Sequence, residues 1–417
     1  MTIQTDATIL GYQETKANAR AASHGQQPWE LVVFADDWGR HPSSAQHLVR
    51  RLLPRHPAVW VSTIGTRRPQ LNIADVRRAA RKLTQWLRPA PDPDAARVPH
   101  NLRLAHPRML PGFRSSYQRR VNSAWISSQV NRILDENGQA DPPPRRIALT
   151  TLPITADLVG KLHVDRWLYY CVDDFSVWPG LDGNVMCTME KDLIQRVDAA
   201  VAVSQTLADR LESLGASAAL LTHGIDLSHW QHNTRRIAAM PEWVHKLPTP
   251  IALFWGLIDR RLDTPTCTAL AQAMHSLGGC LALVGPQQSP DPALAQTPGL
   301  VMPGPIAYEQ LPTLAQCANV LVMPYADLPV TRAMQPLKLT EYLATGQPAV
   351  VADLPATRPW ADAADVVADP QTFVERTLHR IDHALTDEQH KARRRLTDET
   401  WDAKANQLHA ILHNLLP

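Results

Sequence analysis

Cysteine is scarce in this sequence: Cys171, Cys187, Cys267, Cys280 and Cys317 are scattered through 417 residues, with no pair at metal-ligand spacing. That pattern points to a reducing cytosol and to no zinc site. Long hydrophobic runs are missing as well. No stretch reaches the ~20 apolar residues of a membrane-spanning helix, so any contact with a membrane is expected from the side. The opening residues, MTIQTDATILGYQETKANARAASHGQQPW, have no apolar centre; they read as a polar tail over residues 1–28, not as a secretory signal. Neither GxGxxG nor GxxxxGK(S/T) occurs, which sets dinucleotide redox chemistry and P-loop phosphoryl transfer aside. No repeat of solenoid period is visible. Asp92-Pro93-Asp94 spells a metal-binding triplet, but it stands in a proline-rich loop with no strand before it.

What is present is a globular composition, 44% apolar and 20% charged, in a chain longer than one core usually covers. Two domains are expected. The formal charge is only +2, yet Arg40 to Arg146 holds 20 Lys and Arg against 6 Asp and Glu, so this stretch carries +14 and the remainder −12. Such asymmetry fits an anionic partner for the N-terminal half: a membrane surface, a lipid diphosphate or a nucleic acid. A solvated arginine-rich face is the plainer alternative. Two basic segments stand out there. IADVRRAARKLTQWL reads as a helix with Arg77, Arg78, Arg81 and Lys82 on one face. In PGFRSSYQRRVNSAWISSQVNRILDENG, Phe113, Tyr117 and Trp125 interleave with Arg114, Arg119 and Arg120. Rings at headgroup depth beside cations suit a membrane interface, and they also suit single-stranded nucleic acid or a simple core.

Strand, loop, helix and strand alternate along most of the chain. Glu30–Ala35 reads as a first strand, followed by a loop with Asp37 and Gly39. Ser43 or Ser44 caps a helix that buries Leu48, Leu52 and Leu53, and Ala58–Ser62 is the next strand. Residues 64–144 are less regular. Further strands are expected at 146–150, 167–172, 199–204, 218–222, 250–256, 281–285, 300–304, 320–323 and 349–352, with helix from Pro370 to the end. The stretch Asn319 to Pro355, NVLVMPYADLPVTRAMQPLKLTEYLATGQPAVVADLP, is one complete βαβ unit. Its loop lies at the carboxyl edge of a parallel sheet, where open α/β folds bind ligands. Lys338 and Glu341 sit there one turn apart on one helix face. The reading is α/β, with two Rossmann-like domains whose parallel sheets face across a cleft. The expected divisions are an N-terminal domain over 29–231, a polar, proline-broken linker over 232–249, a second domain over 250–390 and a C-terminal helix over 391–417.

The ordered series YYCVDDFSVWPG, EKDLIQRVDAAVAVSQTLADRL, THGIDLSHW, ALFWGLIDRRLD, LVGP, PGPIAYEQLPTLAQCANVLVMPY and PLKLTEYLATGQPAVVADLP resembles the GT-B glycosyltransferases. It is most similar to bacterial exopolysaccharide transferases of the family-4 kind. The resemblance runs from Glu30 to about Pro355 and is weakest over 64–145. It implies that Glu341 accepts hydrogen bonds from the donor ribose. Lys338, with the backbone N–H groups of Leu337 and Lys338, would face the donor diphosphate. Gly256, Arg260, Arg261 and Tyr308 complete the implied donor site, Tyr308 near the nucleobase. Asp37, Gly39 and Ser43 form the implied acceptor loop. Asp173 and Asp174 end a strand facing the cleft, where either serves as a general base for an acceptor hydroxyl or orders its own loop. His47 is expected to pack.

There are departures from the family pattern. The glutamate that many family-4 enzymes place eight residues before the ribose-binding one is Ala333 here. The Arg and Lys after the first strand of the second domain are not clearly reproduced; Arg260 or Arg261 stands in for the first, and Asp263 is closer to more distant relatives. The usual Asn-Gly-Val-Asp is His223-Gly224-Ile225-Asp226, taken as structural. Retention or inversion stays open. The expectation is a metal-independent glycosyltransferase with a UDP- or GDP-sugar as substrate and no cofactor. Its acceptor is a lipid-linked saccharide at an anionic membrane surface, in polysaccharide assembly. It is placed in the cytoplasm, peripheral to the inner face of the plasma membrane. A nucleotide-sugar epimerase, or a non-catalytic partner on the same fold, are the alternatives; nucleic acid is not an expected partner.

Overall fold

The apolar runs spaced along the chain become strands buried on both faces, as parallel sheets require. The computed structural model describes residues 29–39, 43–62, 98–110, 112–137, 143–178, 181–231 and 240–416. Strands β1 (Glu30–Ala35), β2 (Ala58–Ser62), β3 (Leu102–Ala105), β4 (Arg146–Thr150), β5 (Arg166–Cys171), β6 (Ala199–Ala202) and β7 (Ala218–Leu220) form the first sheet, in the order β3-β2-β1-β4-β5-β6-β7. Strands β8 (Ile251–Trp255), β9 (Cys280–Val284), β10 (Leu300–Gly304), β11 (Val320–Met323), β12 (Ala349–Ala352) and β13 (Asp365–Val367) form the second, in the order β10-β9-β8-β11-β12-β13. Every pairing is parallel. The longer helices are α1 (Ser44–Leu52), α2 (Ser116–Asn137), α3 (Gly183–Ile194), α4 (Gln205–Ser213), α5 (Thr264–Ser276), α6 (Leu337–Ala344), α7 (Pro370–Asp382) and α8 (Trp401–Leu415).

Strand order reverses between β1 and β4 in the first sheet and between β8 and β11 in the second. A crevice opens at the carboxyl ends of the strands at each reversal, where the neighbouring helices leave toward opposite faces. The two apolar cores are distinct, one around β1–β7 and one around β8–β13. Among the described residues, the first domain buries a charged pair. Glu30 opens β1 and accepts from Arg146 Nε at 2.8 Å, and both side chains are buried. Arg146 also donates to the Leu134 carbonyl at the end of α2, so this pair ties two strands to a helix.

Two strands lie outside the sequence expectation, β3 (LRLA) and β13 (DVV). Each is a short edge strand with partly exposed positions. The linker expected at 232–249 is only in part a linker. Ile225 and Trp230 already belong to the second core, and Val244 and Leu247 are buried in it. Residues 232–239 lie outside the described residues, as do the tail over 1–28, the basic segment with Arg77, Arg78, Arg81 and Lys82, and Asp92-Pro93-Asp94.

The end of the chain is not one helix. α7, a short helix (Asp387–Arg393) and a 3-10 turn (Arg394–Glu399) precede an extended Thr400, and α8 then crosses back to the first domain. Trp401, Ala405, Leu408 and Leu412 of α8 are part of the first core. At the crossing, Ile225 N–H donates to the Glu399 carbonyl (2.8 Å) and Trp401 N–H to the Ile225 carbonyl (3.1 Å). Gly224 makes the crossing possible: a Cβ there would stand 2.7 Å from both the backbone and the ring of Trp401. The His-Gly-Ile-Asp segment is therefore structural, as expected. His47 stacks on Trp401 at 4.5 Å and 6°, and so packs.

Candidate active site

Of the residues expected on the donor side, Gly256, Leu337, Lys338 and Glu341 lie at the reversal of the second sheet. Gly256 follows β8 with φ +140, and a Cβ on it would lie 1.9 Å from Cε of Lys338. Only glycine lets the lysine stem lie across this backbone. Lys338, in the first turn of α6, donates to the Tyr325 hydroxyl at 3.0 Å and lies 5.7 Å from the ring centroids of both Phe254 and Tyr325. Pro336 supplies no capping side chain, so the N–H groups of Leu337 and Lys338 at the start of α6 meet no side-chain cap. Glu341, one turn on, is half-buried and accepts from the indole Nε1 of Trp255 at 3.0 Å. Burial raises its carboxyl above the ordinary range, while the Trp255 bond and Lys338 pull the other way.

The loop after β8 supplies a second cation. Arg261 is half-buried, bonded to Asp259 by Nε at 3.0 Å, with its guanidinium 6.0 Å from the Tyr325 ring centroid. Arg260 is exposed. Asp263 caps α5, accepting from Thr266 N–H at 3.0 Å. Of the three, only Arg261 is placed with Tyr325 and Lys338.

On the first domain the two adjacent carboxylates separate. Asp174 accepts from both the N–H and the hydroxyl of Ser176 and pairs with Arg210 of α4 at 3.2 Å. Arg210 also pairs with buried Glu190, which accepts from Tyr169 Oη at 2.7 Å. Asp174 thus orders its own loop. Asp173 is half-buried, within electrostatic reach of the second domain. Burial raises its carboxyl to about 7, opposed by Arg261 from the second domain and reinforced by Asp36 and Asp174. The loop after β1 is held by Trp60, whose Nε1 donates to the Asp36 carbonyl at 2.9 Å, and by Gln46. Its Oε1 accepts from Gly39 N–H at 3.1 Å and its Nε2 donates to the Asp37 carbonyl at 3.3 Å. Ser43 is the α1 cap, and Ser44 bonds His223 at 2.6 Å.

No protein-family model matches the chain. Over 64 residues it is 36% identical to the putative teichuronic acid biosynthesis glycosyltransferase TuaH of Bacillus subtilis, a match to 15% of this chain and 16% of that protein. Sucrose-phosphate synthase from Thermosynechococcus elongatus superimposes with a TM-score of 0.65 at 16% identity, over 93% of this chain and 99% of the other. HepE from Anabaena, solved in complex with UDP, gives a TM-score of 0.62 at 11% identity, over 93% of this chain and all of its own. The chain has the GT-B fold.

In this GT-B chain the implied sugar-side departure has a physical form. Ala333 is buried against the first core, and its carbonyl accepts from Ser204 Oγ at 2.6 Å across the domains. The Ala333 methyl group is therefore packed at the junction of the two domains. Tyr308 is 44% exposed and stacks on His229 at 4.3 Å and 6°; burial and Glu341 push its hydroxyl up. Sequence reasoning missed Trp255, Tyr325 and Arg210. Trp255 and Tyr325 each stand at the carboxyl end of a strand flanking the reversal, which was a usable signal. Arg210 gave none, since its partners are distant in sequence.

Proposed function

We propose that this protein transfers a glycosyl unit from a nucleoside diphosphate sugar, UDP-linked in the first instance, to an acceptor hydroxyl. The observation that carries this reading is the cluster of Gly256, Lys338, Tyr325, Arg261 and Glu341 at the reversal of the second sheet, opposite Asp173 of the first. Glu341 would take the ribose hydroxyls, and Lys338 with Arg261 the diphosphate. The acceptor hydroxyl would give its proton to Asp173 as its oxygen bonds the anomeric carbon. The bond from that carbon to the diphosphate oxygen breaks in the same step, a displacement that inverts the centre. Among the described residues no group of three or more His, Cys, Asp or Glu could hold a metal ion. In this reading the leaving diphosphate meets side-chain cations.

The choice of uridine is supported by HepE, which was solved with UDP and with UDP-glucose. A lipid-linked saccharide as acceptor is supported by α2, where Tyr117, Arg120 and Trp125 are exposed, and by exposed Arg114 just before it. Calorimetry with UDP and GDP, on wild type and Glu341→Ala, tests the donor site. Loss of one charge-assisted acceptor should weaken UDP about tenfold or more. Equal binding by Glu341→Ala would remove the donor assignment.

A further inference from the structure

The donor carboxylate is held by a ring whose position is over-determined. Trp255 ends β8, stacks on Trp230 at 5.5 Å and 12°, and meets Tyr342 edge-on at 4.3 Å and 65°. Its backbone N–H points at the Tyr342 hydroxyl (3.4 Å), which itself donates to the Val322 carbonyl at 3.2 Å. The indole is thereby locked, and its Nε1–H is aimed at Oε2 of Glu341, 3.0 Å away. We propose that Trp255 is a positioning residue. It fixes the plane of the Glu341 carboxylate so that Oε1 and the remaining lone pair of Oε2 meet the vicinal hydroxyls of a ribose, and it thereby sets a preference for ribonucleotide over 2′-deoxyribonucleotide donors.

A carboxylate offers only acceptors, and a 1,2-diol offers two donors at fixed separation, so orientation decides whether both bonds form. A ligand lacking one hydroxyl leaves a half-buried lone pair unmatched, which is where discrimination arises. The groups facing this carboxylate are Lys338 from its own helix, Tyr342 beside it, Trp255 from β8 and Tyr308 from the turn before Leu311–Gln316. Trp255 is the neighbour whose N–H bonds the anionic form directly, so its removal should make Glu341 easier to protonate.

The inference rests on the reading of Glu341 as the ribose acceptor, and its test separates the two. UDP and 2′-deoxy-UDP are titrated calorimetrically against wild type, Trp255→Phe and Glu341→Gln between pH 5 and pH 8. Wild type should prefer UDP by about tenfold or more, and Trp255→Phe by less than about threefold. The loss of UDP affinity on acidification should begin at higher pH in Trp255→Phe. The phosphate of UDP itself titrates alike in both proteins, so it cancels in the comparison. If Trp255→Phe fails to fold, 3-benzothienylalanine at position 255 keeps the ring volume and removes only the N–H. An unchanged preference and an unchanged acid limb in either variant overturn the positioning role and leave the donor site standing. Glu341→Gln binding both nucleotides as wild type does overturns both.

Discussion

Asp173 and Asp174 are the same residue type at adjacent positions, yet their surroundings give them opposite sensitivities. Asp174 is bonded to Arg210 and Ser176, so Asp174→Asn should lower the melting temperature. Asp173 is strained as an anion. Its folded pKa of about 7 lies above the ordinary aspartate value, so its contribution to stability is full below about pH 4 and is lost as pH rises through about 7. Asp173→Asn should therefore raise the melting temperature at pH 8 while lowering kcat by about 10²- to 10⁴-fold, with UDP affinity little changed. A structural aspartate would move the two readouts together. The rate should also rise with pH through about 7 as Asp173 ionises, and Asp173→Asn should abolish that limb.

Gly256 gives a second residue-scale prediction. An added methyl group meets Cε of Lys338 at 1.9 Å and a backbone at φ +140. Gly256→Ala should push the ammonium off the proposed diphosphate position and weaken UDP by about tenfold, a loss of one charge-assisted contact, as calorimetry would read it.

At the scale of elements, the last helix belongs to the first domain although it is made after the second. Trp401 is buried, stacks on His47, and closes against Gly224. Trp401→Ala should cost about 3–5 kcal/mol in urea unfolding, as a buried aromatic truncation does. A loss under 1 kcal/mol would show α8 to be a surface addition. The same scale shows what the sequence could reveal. The central strands were legible because burial on both faces leaves uninterrupted apolar runs such as ELVVFA and IALFW. LRLA and DVV were not, being short and covered unevenly at sheet edges. Part of the candidate site was legible as a motif, and Gly256 and Lys338 do meet. Pairings such as Trp255 with Glu341, 86 residues apart, leave no local pattern, and neither does the Arg210 bond that tells Asp174 from Asp173.

For the whole molecule, the question is how the basic N-terminal half is used. Part of its charge is internal: Arg119 is bonded to Asp157 and Asp192, and Arg146 to Glu30. What remains on α2 includes exposed Tyr117, Arg120 and Trp125, with Arg114 just ahead of the helix; Tyr117 is 70% and Trp125 46% exposed. Arg114 lies 3.6 Å from Asp182, the cap of α3. No helix among the described residues is long and apolar enough to cross a membrane; in the proposed function a lipid-held acceptor is met at the surface. Rings at headgroup depth and arginines on phosphate would do this. Flotation with vesicles containing phosphatidylglycerol should carry the protein upward at low salt and release it as ionic strength shortens the screening length. The Tyr117→Ser, Trp125→Ser double variant should bind UDP as wild type does yet float poorly, because the apolar part of the contact is gone. Equal flotation of the double variant and wild type would place membrane contact elsewhere. Absence of flotation in both, with activity toward a water-soluble sugar acceptor, would remove the lipid from the proposed reaction and leave the donor half intact.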